Sequence, residues 1–594
     1  MKNKVGQQKR YHLLIGKILA ILIVLSVSHG FLSVPFLLAA PRAAGNQSEI
    51  LPGHLIPLVQ NYPPIGPLPE ETALHLSIGL ALRNQAALNT LLAAQANPAS
   101  VLYHHYLTPQ AFKTQFGPTS STVNLVVAYL HNQGLHVESV ASNNLFINAS
   151  GSAALIEKTF STTLNSYDIN GRLVYAPTAD PSVPATIAPA IQTIAGLDNV
   201  AHYHPLSLRQ QTFQHASSAG GYTPAQLRSA YDVNPLLKAG AGGTGQTVAL
   251  FELDGYLPSD INTYRKTYNL GVLKGSPVLV NGATNTPGPT ALEVEVDMEM
   301  VSALAPGATQ KIYIGSNSIA GINNTYNRIV TDNAATVIST SWGECENASG
   351  KAELEALHNI FKQGAAQGQS FFAASGDTGA YDCNTADLAV DSPADDPYVV
   401  GVGGTHLNLK ADNTYLSESA WSDSAALPLY PRGFGSGGGI STYFNRPDFQ
   451  RGPNVTNTHR MVPDVSANAD PNTGNAVYCT VSVAGCSSWV VIGGTSVAAP
   501  LWAGLAADIN HYLMRQKRLT LGNITPTLYR LYTTPQPALA YHDIIRGNNL
   551  YYPAGVGYDL ATGLGTPDAW NITIDLTSAC SFPTKSSIAF PTSN

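Results

Sequence analysis

Five short apolar runs beyond Tyr222 limit what this chain can fold into: residues 247–253, 311–315, 336–341, 370–374 and 398–402. Each reads as a strand buried on both faces, the habit of parallel sheets. Helix-like stretches such as residues 352–366 lie between them. Strand and helix in alternation describe a large doubly wound α/β domain with a mostly parallel sheet. There is no internal repeat.

The stretch before Tyr222 is built differently. Leu74, Leu76, Ile78 and Leu80 alternate with period 2, as in a half-buried strand. Residues 81–94 and 121–133 are helix-like, and residues 137–140 and 145–148 are strand-like. Together they predict a compact α+β unit over residues 45–200. Residues 201–221 carry His202, His204 and His215 and end in a Ser/Gly-rich run, which reads as an exposed linker. The expected organisation is therefore 1–44, 45–200, 201–221, 222–575 and a tail, 576–594.

The N-terminus speaks to compartment. Lys2, Lys4, Lys9, Arg10 and Lys17 precede residues 18–40, which contain no charged side chain. A positive start and an apolar run form an export signal. The run is also long enough to span a bilayer. The expectation is secretion with cleavage near Ala40–Ala44, the alternative an uncleaved, outward-facing anchor. Five cysteines suit an oxidising compartment. Cys479 and Cys486, seven apart, can close a small loop, Cys345 and Cys383 can pair, and Cys580 is then left over; the pairing stays open. Charged residues are only 12% and the net charge is -7. That excludes a disordered charged protein and a basic nucleic-acid binder. A surface with few ionisable groups changes its charge little in acid.

The sharpest local motif is Gly493-Gly494-Thr495-Ser496, followed by an almost wholly apolar stretch to Ile509. A serine at the mouth of a buried helix can be a nucleophile or merely a cap. A nucleophile needs a base. Gly403-Gly404-Thr405-His406 has a superficial likeness to a subtilisin histidine motif, but it runs into a strand-like stretch. The acids Glu293, Glu295, Asp297 and Glu299 are the stronger candidates. As a strand they share one face; as a helix Glu293 and Asp297 pair at i,i+4. Read alone, either that or a solvated acidic face fits. Asp377, in Ser375-Gly376-Asp377, follows the end of an apolar strand, where open α/β sheets place their ligands. Further on, Asp543-Ile544 and Gly555-Val556-Gly557-Tyr558-Asp559 combine two carboxylates with glycine-bent loops, an oxygen donor set for a hard cation. The Gly-rich run 433–439 lacks the Gly-Lys-Ser/Thr ending of a phosphate loop.

In their order and spacing, Glu293-x-x-x-Asp297, Ser375-Gly376-Asp377 and Gly494-Thr495-Ser496 resemble the sedolisin, or kumamolisin-like, family of serine-carboxyl peptidases. Tyr106-Leu107-Thr108-Pro109 with Phe112 and Phe116-Gly117-Pro118 looks like that family's propeptide. The resemblance implies a subtilisin-like catalytic domain preceded by an inhibitory propeptide, and a helix for residues 291–300. It implies Ser496 as nucleophile, Glu293 as base and then acid, Asp297 hydrogen-bonded to Glu293, and Asp377 as donor to the oxyanion. Glu252 would extend the proton chain, and Trp342 would pack near Asp297. One Ca²⁺ is implied on the side chains of Asp543 and Asp559 and the backbone oxygens of Ile544, Gly555 and Gly557. The expected activity is an acid-active, self-processing endopeptidase. Polypeptides are the expected substrates and the propeptide the inhibitor, with no nucleic-acid partner, and a membrane only if the N-terminal segment stays uncleaved. The alternatives are a tripeptide-releasing exopeptidase, a His406-dependent subtilase and a catalytically inactive binding protein.

Overall fold

Leucine at every second position does make a strand: β1 (Ala73–Leu80) is the centre of the first sheet. The computed structural model describes residues 47–169, 171–209, 220–425, 432–451, 455, 457–535 and 537–578. The N-terminal apolar run, His215, Cys580 and most of the tail lie outside the described residues. After β1 come α1 (Gln85–Ala96), α2 (Ser120–Gln133), β2 (His136–Val140), β3 (Phe146–Ser152) and β4 (Ile191–Ala195). The strands form an antiparallel sheet in the order β2-β3-β1-β4. α2 starts where Thr119 caps it through the N–H of Thr122, and stops at Gly134, which adopts φ 94°.

The alternation in β1 fades after Leu76, because Ser77 and Gly79 are also buried. The second face of this sheet is covered by the rest of the chain, through apolar contacts such as Phe146 and Ala195 and through polar ones. Asn143 donates to Asn327 (2.6 Å) and Gln363 (2.8 Å), and Gln192 donates to Glu355 (2.8 Å).

Residues 201–209 are not the exposed linker that their composition suggests. Ala201, Tyr203 and Leu206 are buried. β5 (His204–Pro205) and β6 (Leu208–Arg209) each pair antiparallel with a strand of the catalytic part. Polar composition marks a segment that lacks a core of its own; it says nothing of backbone pairing in a groove.

The large sheet contains β7 (Thr247–Glu252), β8 (Lys274–Leu279), β9 (Thr309–Ile314), β10 (Val337–Thr340), β12 (Ser370–Ala374), β13 (Val399–Leu409) and β14 (Tyr415–Ala420). Their order is β8-β9-β7-β10-β12-β13-β14, with β15 (Val465–Asn468) also on β13. All pairs are parallel except β13–β14. Between these strands run α3 (Ala291–Leu304), the short β11 (Trp342–Cys345) and α4 (Glu346–Ala366). β16 (Ser488–Gly493) leads into the long α5 (Thr495–Arg515). α3 and α5 pack closely at Gly504, where a Cβ would come 3.2 Å from that of Leu304. Disulfides join Cys345 to Cys383 and Cys479 to Cys486. Among the described residues no helix is long and apolar enough to cross a membrane.

Candidate active site

Ser496 sits in the first turn of α5, just past Gly494 at φ 100°. A Cβ on Gly494 would collide with the carbonyl oxygen of Leu206 and come 2.6 Å from Asp377 Oδ2, so both oxygens crowd one point. The N–H of Ser496 is one of the donors a helix start leaves unpaired, and it donates to Leu206 O at 2.9 Å. Pro500 removes the N–H that would bond the Ser496 carbonyl. The Ser341 hydroxyl lies 3.2 Å from that carbonyl instead.

α3 is a helix, and all fourteen of its residues are buried. Its acids therefore form no solvated face. Asp254 holds the entry to the helix, accepting from Gly288 N and from the N–H and hydroxyl of Thr290 at 2.7–2.9 Å. Glu293 and Asp297, one turn apart, face the serine side together. The Glu293 carboxyl lies beside the hydroxyls of Ser496 and Ser207, with neither oxygen in a well-formed hydrogen bond. Ser496 Oγ rests 3.4 Å from Ser341 O.

The bonds of Asp297 run elsewhere than expected. Its Oδ1 takes the Ser341 hydroxyl at 2.5 Å, and its carboxyl lies against Glu252, so it acts on Glu293 through charge. The Trp342 indole N–H donates to Glu252 Oε2 at 2.9 Å, and Glu252 in turn lies against Asp297. The order is thus Ser496, Glu293, Asp297, Glu252, Trp342. Burial raises the pKa of Glu293, Asp297 and Glu252 well above the usual carboxyl range. The negative charge of a neighbour adds to this, from Asp297 on Glu293 and from Glu252 on Asp297. Such a row cannot hold several charges; its members share protons.

Asp377 follows β12. Its Oδ1 accepts from the N–H (2.7 Å) and the hydroxyl (2.9 Å) of Thr495, while Oδ2 has no partner among the described residues. Burial pushes the carboxyl up to about 7, with the two Thr495 bonds pulling the other way. Below that pH, Oδ2 carries a proton and can donate. Donors set in advance at the place where an oxyanion will form stabilise the tetrahedral intermediate. With the Ser496 N–H, Asp377 Oδ2 makes such a pair.

His406 is elsewhere engaged. It lies on β13 with Nδ1 2.7 Å from Asp470 Oδ2, and that hydrogen bond raises its pKa. Asp543 and Asp559 meet across one loop. Asp543 accepts from Gly557 N at 3.0 Å, and Asp559 from Gly555 N at 3.0 Å. The carbonyls of Ile544, Gly555 and Gly557 accept no hydrogen bond from the described residues. Two carboxylates and three free carbonyls are an all-oxygen set that fits a hard cation. Among the described residues, Asp260, Glu295 and Cys479 also cluster, but Cys479 is spent in a disulfide.

Residues 61–200 match the family described as pro-kumamolisin, activation domain, and residues 279–520 match the subtilase family. The chain is 31% identical over 523 residues to sedolisin of Pseudomonas sp. (strain 101), spanning 84% of this chain and 86% of that one. It is 32% identical over 561 residues to kumamolisin of Bacillus sp. (strain MN-32), spanning 89% and 96%. The chain belongs to the sedolisin family of serine-carboxyl peptidases. A solved Pseudomonas sedolisin superposes with a TM-score of 0.54 at 29% identity, covering 61% of this chain and all of that one. Human tripeptidyl-peptidase 1 is 22% identical over 536 residues, or 85% of this chain and 92% of that one. The chain is thus a sedolisin-family serine-carboxyl peptidase with a propeptide activation domain and a subtilisin-like fold.

Reading the sequence overlooked three parts of this sedolisin site. Thr495 stood inside a quoted motif and Ser341 closed an apolar run, but only the fold shows what their hydroxyls hold. Asp254 had no motif at all.

The buried acids also set stability. Glu295 and Glu353 are raised by burial to about 8, and Asp377 to about 7, against ordinary values of 4.5 and 3.8. The folded state therefore binds protons more tightly than the unfolded chain. Their contribution is complete below about pH 4 and is lost as pH rises through 7 to 8. Calorimetry of the Ser496→Ala proenzyme should give a higher Tm at pH 4 than at pH 8; the opposite order would contradict the assignment of these protons.

Proposed function

We propose that this chain is a secreted, acid-active endopeptidase, made as a proenzyme that processes itself. The observation that carries the reading is the set of Ser496, Glu293 and Asp377 around one carbonyl, with no histidine in it. Ser496 Oγ would attack a peptide carbonyl and pass its proton to Glu293. The oxyanion would face Asp377 Oδ2 and the Ser496 N–H. Glu293 would then protonate the leaving amine. Asp297 and Glu252 would keep the proton count of the row adjustable, and Trp342 would fix Glu252. Because Asp377 donates only when protonated, activity belongs to acid.

Endopeptidase is preferred because the groove takes a chain on both sides of the serine. β5 pairs with β11 on one side, β6 with β16 on the other, and His202 N still reaches Glu344 at 3.0 Å. Secretion is supported by the positive start and apolar run of residues 1–40 and by two disulfides outside any redox motif. The test is a substrate length series at pH 4, with Ser496→Ala as background. An endopeptidase cuts N-terminally blocked peptides internally; strict release of tripeptides from free N-termini would favour the exopeptidase alternative.

Calcium is proposed for the loop of Asp543 and Asp559. An ion there would tie the loops at residues 543–544 and 555–559 together and leave the chemistry to the carboxyls. A ligand bound only by the folded state stabilises it by mass action, about 2.7 kcal/mol at a hundredfold excess over Kd. A chelator should therefore lower the Tm of the purified mature enzyme, and added Ca²⁺ should restore it. An unchanged Tm would contradict the site.

Acid should also loosen the propeptide at His104. Leu107 N bonds Ala366 O beside His104, and Tyr103 faces Arg530. Burial lowers the His104 pKa to about 3, helped by the charge of Arg530 and opposed by a bond to the Thr520 backbone. Docked, His104 stays neutral; released, it takes a proton below its ordinary 6.5. The His104 share of docking is thus strongest above pH 6.5 and weakens as pH falls towards 3. The loss is on the order of 3 kcal/mol by pH 4.5. Asp198, raised by burial to about 7, works the opposite way, so the two shares are separated by mutation. In a Ser496→Ala background, His104→Gln propeptide should bind mature enzyme relatively more tightly at pH 4.5 than the unchanged propeptide does; an unaltered pH dependence would refute the role.

A further inference from the structure

The geometry points to Leu206–Ser207 as the peptide bond that Ser496 cuts in its own precursor, which rests on the peptidase reading above. Nothing in the composition of residues 201–221 singles this bond out. Its place in the groove does.

Five contacts set the register. On the N-terminal side, His204 and Pro205 pair with Gly343 and Trp342, and Leu206 N donates to Ser341 O at 3.1 Å. On the C-terminal side, Leu208 and Arg209 pair with Gly493 and Ile492. Between the two pairings only Leu206 and Ser207 remain. The Leu206 carbonyl oxygen accepts the Ser496 N–H at 2.9 Å and crowds the same point as Asp377 Oδ2. The Ser207 hydroxyl, on the leaving side, lies beside the Glu293 carboxyl, which puts the acid next to the residue whose nitrogen must leave. A substrate strand clamped at both ends, with its carbonyl at the oxyanion donors and its leaving residue beside the acid, is arranged for attack.

The side chain agrees with the backbone. Leu206 is buried, and Gly343 lies under it, where a Cβ would come 3.1 Å from Leu206 Cδ1. The surrounding cavity of about 280 Å³ is lined by Glu344, Asp382, Asp391 and the Cys345–Cys383 bridge side of the groove. Asp382 Oδ2 and Asp391 Oδ1 are buried there without a partner among the described residues. A neutral leucine is compatible with these acids in either protonation state.

The step balances as an ordinary hydrolysis. The Ser496 Oγ–C bond forms at Leu206 as the hydroxyl proton passes to Glu293. The C–N bond to Ser207 breaks, and that proton leaves on the new amine. Water then attacks the ester, gives a proton to Glu293, and frees the Leu206 carboxyl; Ser496 regains its hydrogen. Because nucleophile and bond belong to one chain, the first cut should be first order, with a rate constant independent of precursor concentration.

The experiment is mass spectrometry and N-terminal sequencing of purified precursor sampled through the first minutes at pH 4. The expected first products begin at Ser207 and end at Leu206, and Ser496→Ala precursor yields neither. Ser207→Pro, which makes the scissile nitrogen tertiary, should slow that cut about a hundredfold or more. As a check that does not depend on folding of a variant, a synthetic peptide of residues 201–210 is given to mature enzyme; cleavage between Leu206 and Ser207 is expected. A first cut elsewhere, dependent on Ser496, would overturn this assignment and leave the peptidase reading intact. Cleavage of the peptide at another bond would do the same. A precursor that stays whole while also failing to digest denatured protein would instead remove the peptidase reading itself.

Discussion

Glu293→Gln should lower kcat/KM on a peptide substrate by several orders of magnitude, because base and nucleophile act as one unit. The amide fills the same space but cannot take the Ser496 proton. His406→Ala should stay within about tenfold of wild type, roughly 1.4 kcal/mol. Its ring is bound to Asp470 on β13, away from the carboxyl row. Both variants are to be assayed at pH 4 after confirming unchanged circular dichroism. A collapse of activity in His406→Ala with a mild effect in Glu293→Gln would reverse the assignment of the base.

Asp377 carries the second large effect. Asp377→Ala removes an oxyanion donor and should cost about 10²–10³ in kcat. Asp377→Asn is more informative. Its amide N–H₂ donates at any pH, while its carbonyl can still accept the Thr495 bonds that now reach Oδ1 at 2.7 and 2.9 Å. The Asn variant should therefore retain more activity than Ala and lose the alkaline fall centred near pH 7 that the raised Asp377 carboxyl imposes. What alkaline fall remains would come from Glu293 and Asp297. An Asn variant as poor as Ala, with an unshifted alkaline limb, would mean that Asp377 serves to hold Thr495 and does not face the oxyanion.

The strands of the large sheet were legible because parallel strands buried on both faces leave unbroken apolar runs; residues 370–374 coincide with β12. The acidic stretch at residues 291–300 was not legible on its own. Every position of α3 is buried, so no solvent-facing side marks a helical period, and the acids at every second position imitate a strand. Family resemblance settled that helix. The same resemblance implied a hydrogen bond between Asp297 and Glu293, but Asp297 is met by Ser341. A motif conveys which residues assemble; donors and acceptors follow from rotamers that only the fold supplies. The segment at residues 201–209 misled for a different reason. Its histidines and serine look like those of a solvated linker, yet it is held mainly by main-chain pairing to β11 and β16, which any sequence can make.

The account stands on two carboxyls in place of a histidine: Glu293, which takes the serine proton in its ionised form, and Asp377, which donates to the oxyanion in its protonated form. The most direct test is the pH dependence of kcat for mature enzyme on an N-blocked peptide from pH 2 to 9, with Ser496→Ala as background, because bound substrate fills the groove as residues 204–209 do here. The account predicts a maximum in acid and a fall to background as the pH passes about 7, where Asp377 ionises. A rate that climbs through pH 6.5 to a plateau at 8, the signature of a histidine base, would contradict it.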